Sequence, residues 1–205
     1  MTRVSCVTGL FLALTITASS AMAQNLPSKF NQPISGKPNQ ALFSEAVLIY
    51  SNEARRQYGK PPLAHDPRLT KAAAGHARNM AKLRNHSHVL PVRGQKDLKQ
   101  RMKRQSVSFR KAAENIAMDK VYRLLNRPIS MSSRGCNFIY GDTRQAVPVH
   151  TYASLAQSVV TRWMASPKHR SSLLSAKFSR LGSGVGVDPN GPACGDYYLA
   201  QNFAD

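Results

Sequence analysis

Few residues of this 205-residue chain have side chains suited to catalysis or metal binding: six histidines, ten acids and three cysteines. Two imidazoles and one carboxylate are enough to hold a zinc-like ion and leave a position open for water. With the carboxylate as general base, such a set would perform metal-dependent hydrolysis. His169 follows Ser166-Pro167, a pair that reads as the start of a short helix capped by Ser166. The positive end of that helix would disfavour protonation and keep the imidazole available. Glu114 stands in a chain crowded with cations and has two readings, as the acid of a site or as the counter-charge of a neighbour such as Arg110 or Lys111. An isolated histidine is more often a hydrogen-bonded structural residue than a ligand.

The first residues place Arg3 before an apolar stretch, Val7 to Ile16, and then Ala21-Met22-Ala23, the order of a secretory signal peptide. Cleavage is expected after Ala23, giving a secreted or periplasmic protein. Cys6 precedes the apolar core instead of following it, so no lipid anchor is expected. No later stretch approaches the roughly 18 uninterrupted apolar residues of a membrane span. Removing residues 1–23 leaves 182 residues, which suits one domain. It also leaves two cysteines, Cys136 and Cys194, for which an exported chain makes a disulfide the default, contributing roughly 2–4 kcal/mol. A catalytic thiol would require one of them to stay free.

The formal charge is +19, which draws the protein to anionic partners: an envelope surface, a lipid headgroup or an acidic polysaccharide. Between Arg68 and Lys111 thirteen Lys or Arg face a single acid, Asp97, so the excess is concentrated in one region. A solvated helix face accounts for part of that run. Nucleic acid ranks last as a partner, because no reading motif or aromatic-interleaved basic patch accompanies the charge.

These groups need elements to position them. Residues 24–39 lack periodicity and are rich in Pro, Gly, Ser and Asn, which predicts a flexible arm before a domain over 40–205. Leu42, Phe43, Ala46, Ile49, Tyr50 and Ala54 form one helical stripe, ended by Gly59, Pro61 and Pro62. A second helix starts at Asp66-Pro67 and carries Leu69, Ala73, Ala77, Met80 and Leu83 on one side, with Arg68, Lys71, Arg78 and Lys82 opposite. A third spans Tyr152 to Met164 and buries Trp163 as a core residue, and a fourth opens at Ser166-Pro167. Val185 and Val187 alternate with glycines, and Tyr197 to Phe203 is aromatic-rich, so the two segments are expected to pair as antiparallel strands. Residues 119–150 read as strand plus long loops.

Taken in order, these pieces resemble the CAP superfamily, the group of cysteine-rich secretory, antigen-five and pathogenesis-related proteins, in its bacterial branch. Tyr58-Gly59-Lys60-Pro61-Pro62-Leu63 is similar to the family's first helix and Pro-Leu turn. Glu114-Asn115-Ile116-Ala117 is similar to its Glu-Asn-Ile/Leu motif, Trp163 through Arg170 to its Trp-x-x-Ser-x-x-His segment, and Gly184 to Val187 with Gln201-Asn202-Phe203 to its closing strands. The resemblance implies an α+β fold, a three-layer α-β-α sandwich around a central antiparallel sheet. It implies a cleft lined by His88, Glu114, Ser166 and His169, with His86 the alternative to His88. In animal members the position of Ser166 is acidic, so a zinc or other divalent ion on His88 and His169 would be held less tightly here. His65, His76 and His150 match no cleft position and are expected at the surface or in satisfied packing. The function implied is recognition of a lipid, sterol, glycan or anionic envelope component through the His/Glu cleft or the basic face. The alternative is a metal-dependent extracellular peptidase with Glu114 as catalytic base.

Overall fold

The computed structural model describes residues 26–34, 36–125, 127–131 and 135–205, so the expected signal peptide lies outside the described residues. Helix α1 (Gln40–Gln57) starts where the Asn39 side chain accepts the Leu42 N–H, and a chain reversal with Gly59 at φ +62° follows it. Strand β1 (Ala64–His65) leads to α2 (Pro67–Leu83), whose cap is Asp66, accepting from the N–H groups of Arg68 and Leu69. Helix α3 (Leu98–Arg104) is capped by Asp97 and was not anticipated from periodicity, being only two turns long. Strands β2 (Ala112–Lys120), β3 (Ile129–Met131) and β4 (Phe138–Tyr140) follow. Helix α4 (Tyr152–Ala165) opens with a reciprocal Thr151–Ser154 cap, and α5 (Pro167–Leu173), β5 (Arg180–Asp188) and β6 (Asp196–Ala204) complete the chain.

The main sheet has the order β1-β5-β6-β2. β5 pairs with β6 and β6 with β2, both antiparallel, as the sequence led us to expect for β5 and β6. The two-residue β1 runs parallel to β5 at the edge, so the sheet is antiparallel except for that short addition. β3 and β4 form a separate two-stranded ribbon.

Successive strand residues point to opposite faces, and β6 shows the layers this makes. Its Tyr197, Leu199 and Phe203 join the core formed with α1 and α4. Its Tyr198 and Ala200 pack with Ala73, Ala77 and Met80 of α2, and Ala204 packs with Leu69 and with Met102 of α3. On β5, glycine at 182, 184 and 186 lets α2 lie with its backbone directly on the strand. A Cβ at Gly184 would stand 2.2 Å from the Ala74 nitrogen, and one at Gly186 would stand 2.2 Å from the Ala77 carbonyl oxygen. The alternation of valine with glycine is therefore a packing pattern: Val185 faces the α1/α4 core, and the glycines face α2.

The expected flexible arm is corrected in its described part. Leu26, Phe30 and Ile34 are buried in the main core, the Ile34 N–H donates to the His150 carbonyl at 2.9 Å, and Lys29 pairs with Glu45 at 2.7 Å. Three apolar anchors spaced four residues apart tie the segment down. Cys136 and Cys194 form the expected disulfide, with Cα atoms 5.8 Å apart, joining the approach to β4 to the β5–β6 turn.

Gly184→Ala is expected to lower stability by about 3 kcal/mol, because a rigid helix backbone must move to admit the methyl group. Gly59→Asn, at an open position with nothing within 4 Å, is expected to stay within about 0.5 kcal/mol of the parent. Chemical denaturation of both variants checks the contrast.

Candidate functional site

The site starts from two adjacent residues of β2 that point to opposite faces of the sheet. Glu114 faces the α2/α3 layer, paired in register with Asn202 of β6. There α3 lays Arg101 against it: Nη2 donates to both carboxylate oxygens, each at 2.8 Å. Both side chains are buried, with exposures of 1% and 3%. The same guanidinium donates to the carbonyls of His88, Gln95 and Lys96, so it also organises the segment between α2 and α3. His88 Nδ1 lies 2.9 Å from Glu114 Oε1. In the orientation that satisfies both of its groups, the Asn202 amide donates to Glu114 Oε2 at 3.0 Å and accepts the Ala73 N–H at 3.3 Å.

Asn115 points the other way. Its Nδ2 donates to Gln201 Oε1 at 3.1 Å and to the His169 carbonyl at 3.2 Å, and Gln201 donates to Ser51 of α1. Glu114 thus anchors α3 and the loop before it, while Asn115 ties the backbone at His169 to the sheet. Trp163 is a core residue as expected, and its Nε1 donates to the Ile116 carbonyl at 3.2 Å.

Burial raises the pKa of Glu114, but the His88 hydrogen bond, the charges of His76 and Arg101, and the Arg101 hydrogen bond outweigh it, so the carboxyl sits below its ordinary value. A general base needs a pKa near the working pH and an acceptor site aimed at its substrate. Glu114 is instead an ionised counter-charge. Its partner is Arg101, which corrects the neighbours expected from sequence: Arg110 pairs with Asp205 at 3.2 Å.

Of the two candidate histidines, His88 contacts Glu114, and its side chain is 48% exposed. His86 is exposed, yet desolvation and the charges of His88, His169 and Arg162 lower its pKa. His169 is half-buried, and desolvation, followed by the charges of His88 and Lys168, lowers its pKa as well. Ser166 occupies the N-cap position of α5, but its side chain makes no capping bond, which corrects the expected cap. The causes acting on His169 are burial and neighbouring cations.

Two residues at this site were missed by sequence reasoning. His76 is wholly buried on α2, with Nε2 3.6 Å from Glu114 Oε1. The Ser87 backbone favours its charged form, but neither ring nitrogen reaches hydrogen-bond geometry, and desolvation pushes its pKa down to about 4. It lies on the apolar stripe of α2 between Ala73 and Ala77, a position that would have placed it inside. Arg101 carried no such signal, being one of four Lys or Arg residues within α3. His65 is exposed and bonds Thr70, and His150 is buried against Ser154, both as expected.

Among the described residues no three His, Cys, Asp or Glu side chains converge as metal ligands. With both Glu114 oxygens engaged, His88 and His169 fall short of the three protein ligands of a catalytic zinc. The donor set does not fit a resident zinc-like ion.

Helices thus pack on both faces of the sheet, and His76 and His88 lie beside the engaged Glu114 carboxylate. The chain belongs to the CAP, or cysteine-rich secretory protein, family, whose model matches residues 48–101 and 92–203. It is similar to an extracellular protein containing an SCP domain from Bacillus anthracis, at 22% identity and a TM-score of 0.55, over 83% of this chain and 45% of that one. It is also similar to an outer surface protein of Borrelia burgdorferi, at 16% identity and a TM-score of 0.54, over 82% and 97% of the two chains. An uncharacterized membrane protein of Bacillus subtilis is 27% identical over 167 residues, and the match spans 82% of this chain but only 36% of that relative. Among the described residues no helix is long and apolar enough to cross a membrane.

Arg101→Met, which leaves a buried carboxylate unpaired, is expected to cost about 3–5 kcal/mol, and Arg101→Met with Glu114→Met is expected to regain most of it. Denaturation of the two single variants and the double variant tests this. His76 and His150 are both held near pKa 4, below the ordinary histidine value of 6.5, so the unfolded chain binds more protons between these limits. Stability is then fully present above about pH 6.5 and falls as pH drops toward 4. Unfolding titrations of the parent and a His76→Phe variant should show a shallower acid loss in the variant.

Proposed function

We propose that this protein is a secreted or periplasmic binding module that attaches to anionic envelope surfaces through the cationic outer side of α2, α3 and the segment joining them. The observation that carries this reading is the exposure of the basic run. Of the thirteen Lys and Arg between 68 and 111, only Arg101 is buried. Lys71, Arg78, Lys82, Arg93, Lys96, Lys99, Lys103 and Arg104 have no acidic partner among the described residues. Unpaired exposed cations at this density produce a field that attracts polyanions and releases their counterions on contact.

The engagement of Glu114 by Arg101 favours binding over hydrolysis, since among the described residues no other carboxylate pairs with His86, His88 or His169. The presence of an extracellular SCP-domain protein and an outer surface protein among the structural neighbours supports residence outside the cytoplasm.

Binding to phosphatidylglycerol vesicles is expected to fall steeply with salt, and a Lys71→Glu, Arg78→Glu, Lys82→Glu variant should bind about tenfold or more weakly, since each cation near such a surface contributes about 1 kcal/mol. Salt-insensitive binding, or equal binding to phosphatidylcholine, would contradict attachment by charge. Metal analysis separates the hydrolase alternative: stoichiometric metal in the parent, lost in His88→Ala and His169→Ala, would favour it.

A further inference from the structure

An open cavity of about 580 Å³ lies between the end of β2, the 120–125 segment and α4, and none of the cleft histidines lines it. Its volume falls within the range of roughly 300–1,000 Å³ typical of small-molecule sites. Three cations line it, and they differ in their partners. Lys120 is neutralised by Asp196 at 2.6 Å and Arg162 by Asp119 at 3.1 Å, whereas the partly buried Arg123 has no acidic partner among the described residues. A guanidinium in that position is suited to a carboxylate or phosphate, which it can bind through two parallel hydrogen bonds.

The most buried lining group is His150, whose Nδ1 lies 2.9 Å from Ser154 Oγ. Its Nε2 stands 4.0 Å from Asp119 Oδ1, too far for a direct bond. One hydroxyl oxygen, with two contacts of about 2.8 Å, closes that gap. Asp119 is held in place to receive it. Its Oδ2 accepts from Ser158 at 2.7 Å and from Arg162, while Oδ1 accepts the Lys120 N–H and has a second acceptor site. Burial keeps His150 neutral, with a pKa near 4, so the pair is not closed by an ion contact at neutral pH.

Part of the lining is apolar. Tyr122 meets Phe138 edge-on with ring centroids 4.9 Å apart, and Tyr122 and Leu124 pack on the small core that also contains Cys194 of the disulfide. Apolar side chains, an acid with an open acceptor site and a guanidinium with no acidic partner among the described residues combine the three contacts that a charged sugar makes: its C–H face, its hydroxyls and its anion.

We propose that this cavity binds an acidic saccharide, with Arg123 taking the carboxylate or phosphate, Asp119 and His150 sharing a ring hydroxyl, and Tyr122 and Leu124 covering the apolar face of the sugar. The site goes beyond surface attachment, since no cation of α2 or α3 lines it.

The test is an NMR titration of the mature protein at fixed physiological salt with three probes: a glucuronate-containing disaccharide, its neutral glucose counterpart and inorganic phosphate. The acidic disaccharide should give saturable shifts at residues 119–125 and 154–162 and bind about tenfold or more tightly than the neutral one, in line with a charge-assisted contact. Arg123→Gln, with an unchanged melting temperature, should remove that preference, and Asp119→Asn should weaken both sugars. The Lys71→Glu, Arg78→Glu, Lys82→Glu variant should bind the disaccharide as the parent does. Equal affinity for the two sugars, retention of the preference in Arg123→Gln, or loss in the α2 variant would overturn the proposal. Saturation by phosphate with no gain from the sugar would overturn it as a saccharide site.

Discussion

The interaction on which this structure depends is the buried ion pair of Glu114 and Arg101. A carboxylate withdrawn from water is tolerated only when its lone pairs are met, and here Arg101, His88 and Asn202 meet them. Nη1 of Arg101 in turn donates to three backbone carbonyls ahead of α3, while its Nε is buried without a partner. A single salt bridge therefore fixes where the loop carrying His86 and His88 lies, how α3 packs, and which face of the site β2 presents. The same pairing decides the chemistry, because a carboxylate held ionised by a guanidinium is a poor proton acceptor.

Around that pair the sheet acts as a spacer with two different faces. Toward α1 and α4 it offers large side chains such as Leu199 and Phe203, and toward α2 it offers glycines and alanines. The close approach of α2 carries His76 down to Glu114, and places the cations of the helix on its outer side in water. The basic face and the buried polar cluster are thus two sides of one helix, and the small residues of β5 make both possible.

Much of this was legible in the sequence because it rests on local rules. Asp66-Pro67 marked α2 through capping, the Val-Gly alternation marked β5, and the last two cysteines marked the disulfide. The order of motifs identified the family and pointed to His88, Glu114 and His169. What escaped notice depends on tertiary placement. Nothing in Leu98–Arg104 distinguishes Arg101 from the cations beside it, since which of them turns inward is set by where Glu114 lies across the sheet. Phe30 anchors the segment before α1 together with Leu26 and Ile34, a spacing of four obscured by the Pro, Gly, Ser and Asn residues between and after them. His76 was readable from its place in the apolar stripe, but histidines on such a stripe are ordinarily settled by a neighbour that the sequence does not name.

The proposal that the domain acts by binding rests on Glu114 being a structural anion. Carbon-13 NMR titration of the Glu114 side-chain carboxyl tests this most directly. The account predicts a midpoint below the ordinary glutamate value, with the carboxylate ionised throughout the mildly acidic and neutral range. A midpoint raised to about 6 or above, the range of a catalytic acid or base, would contradict it.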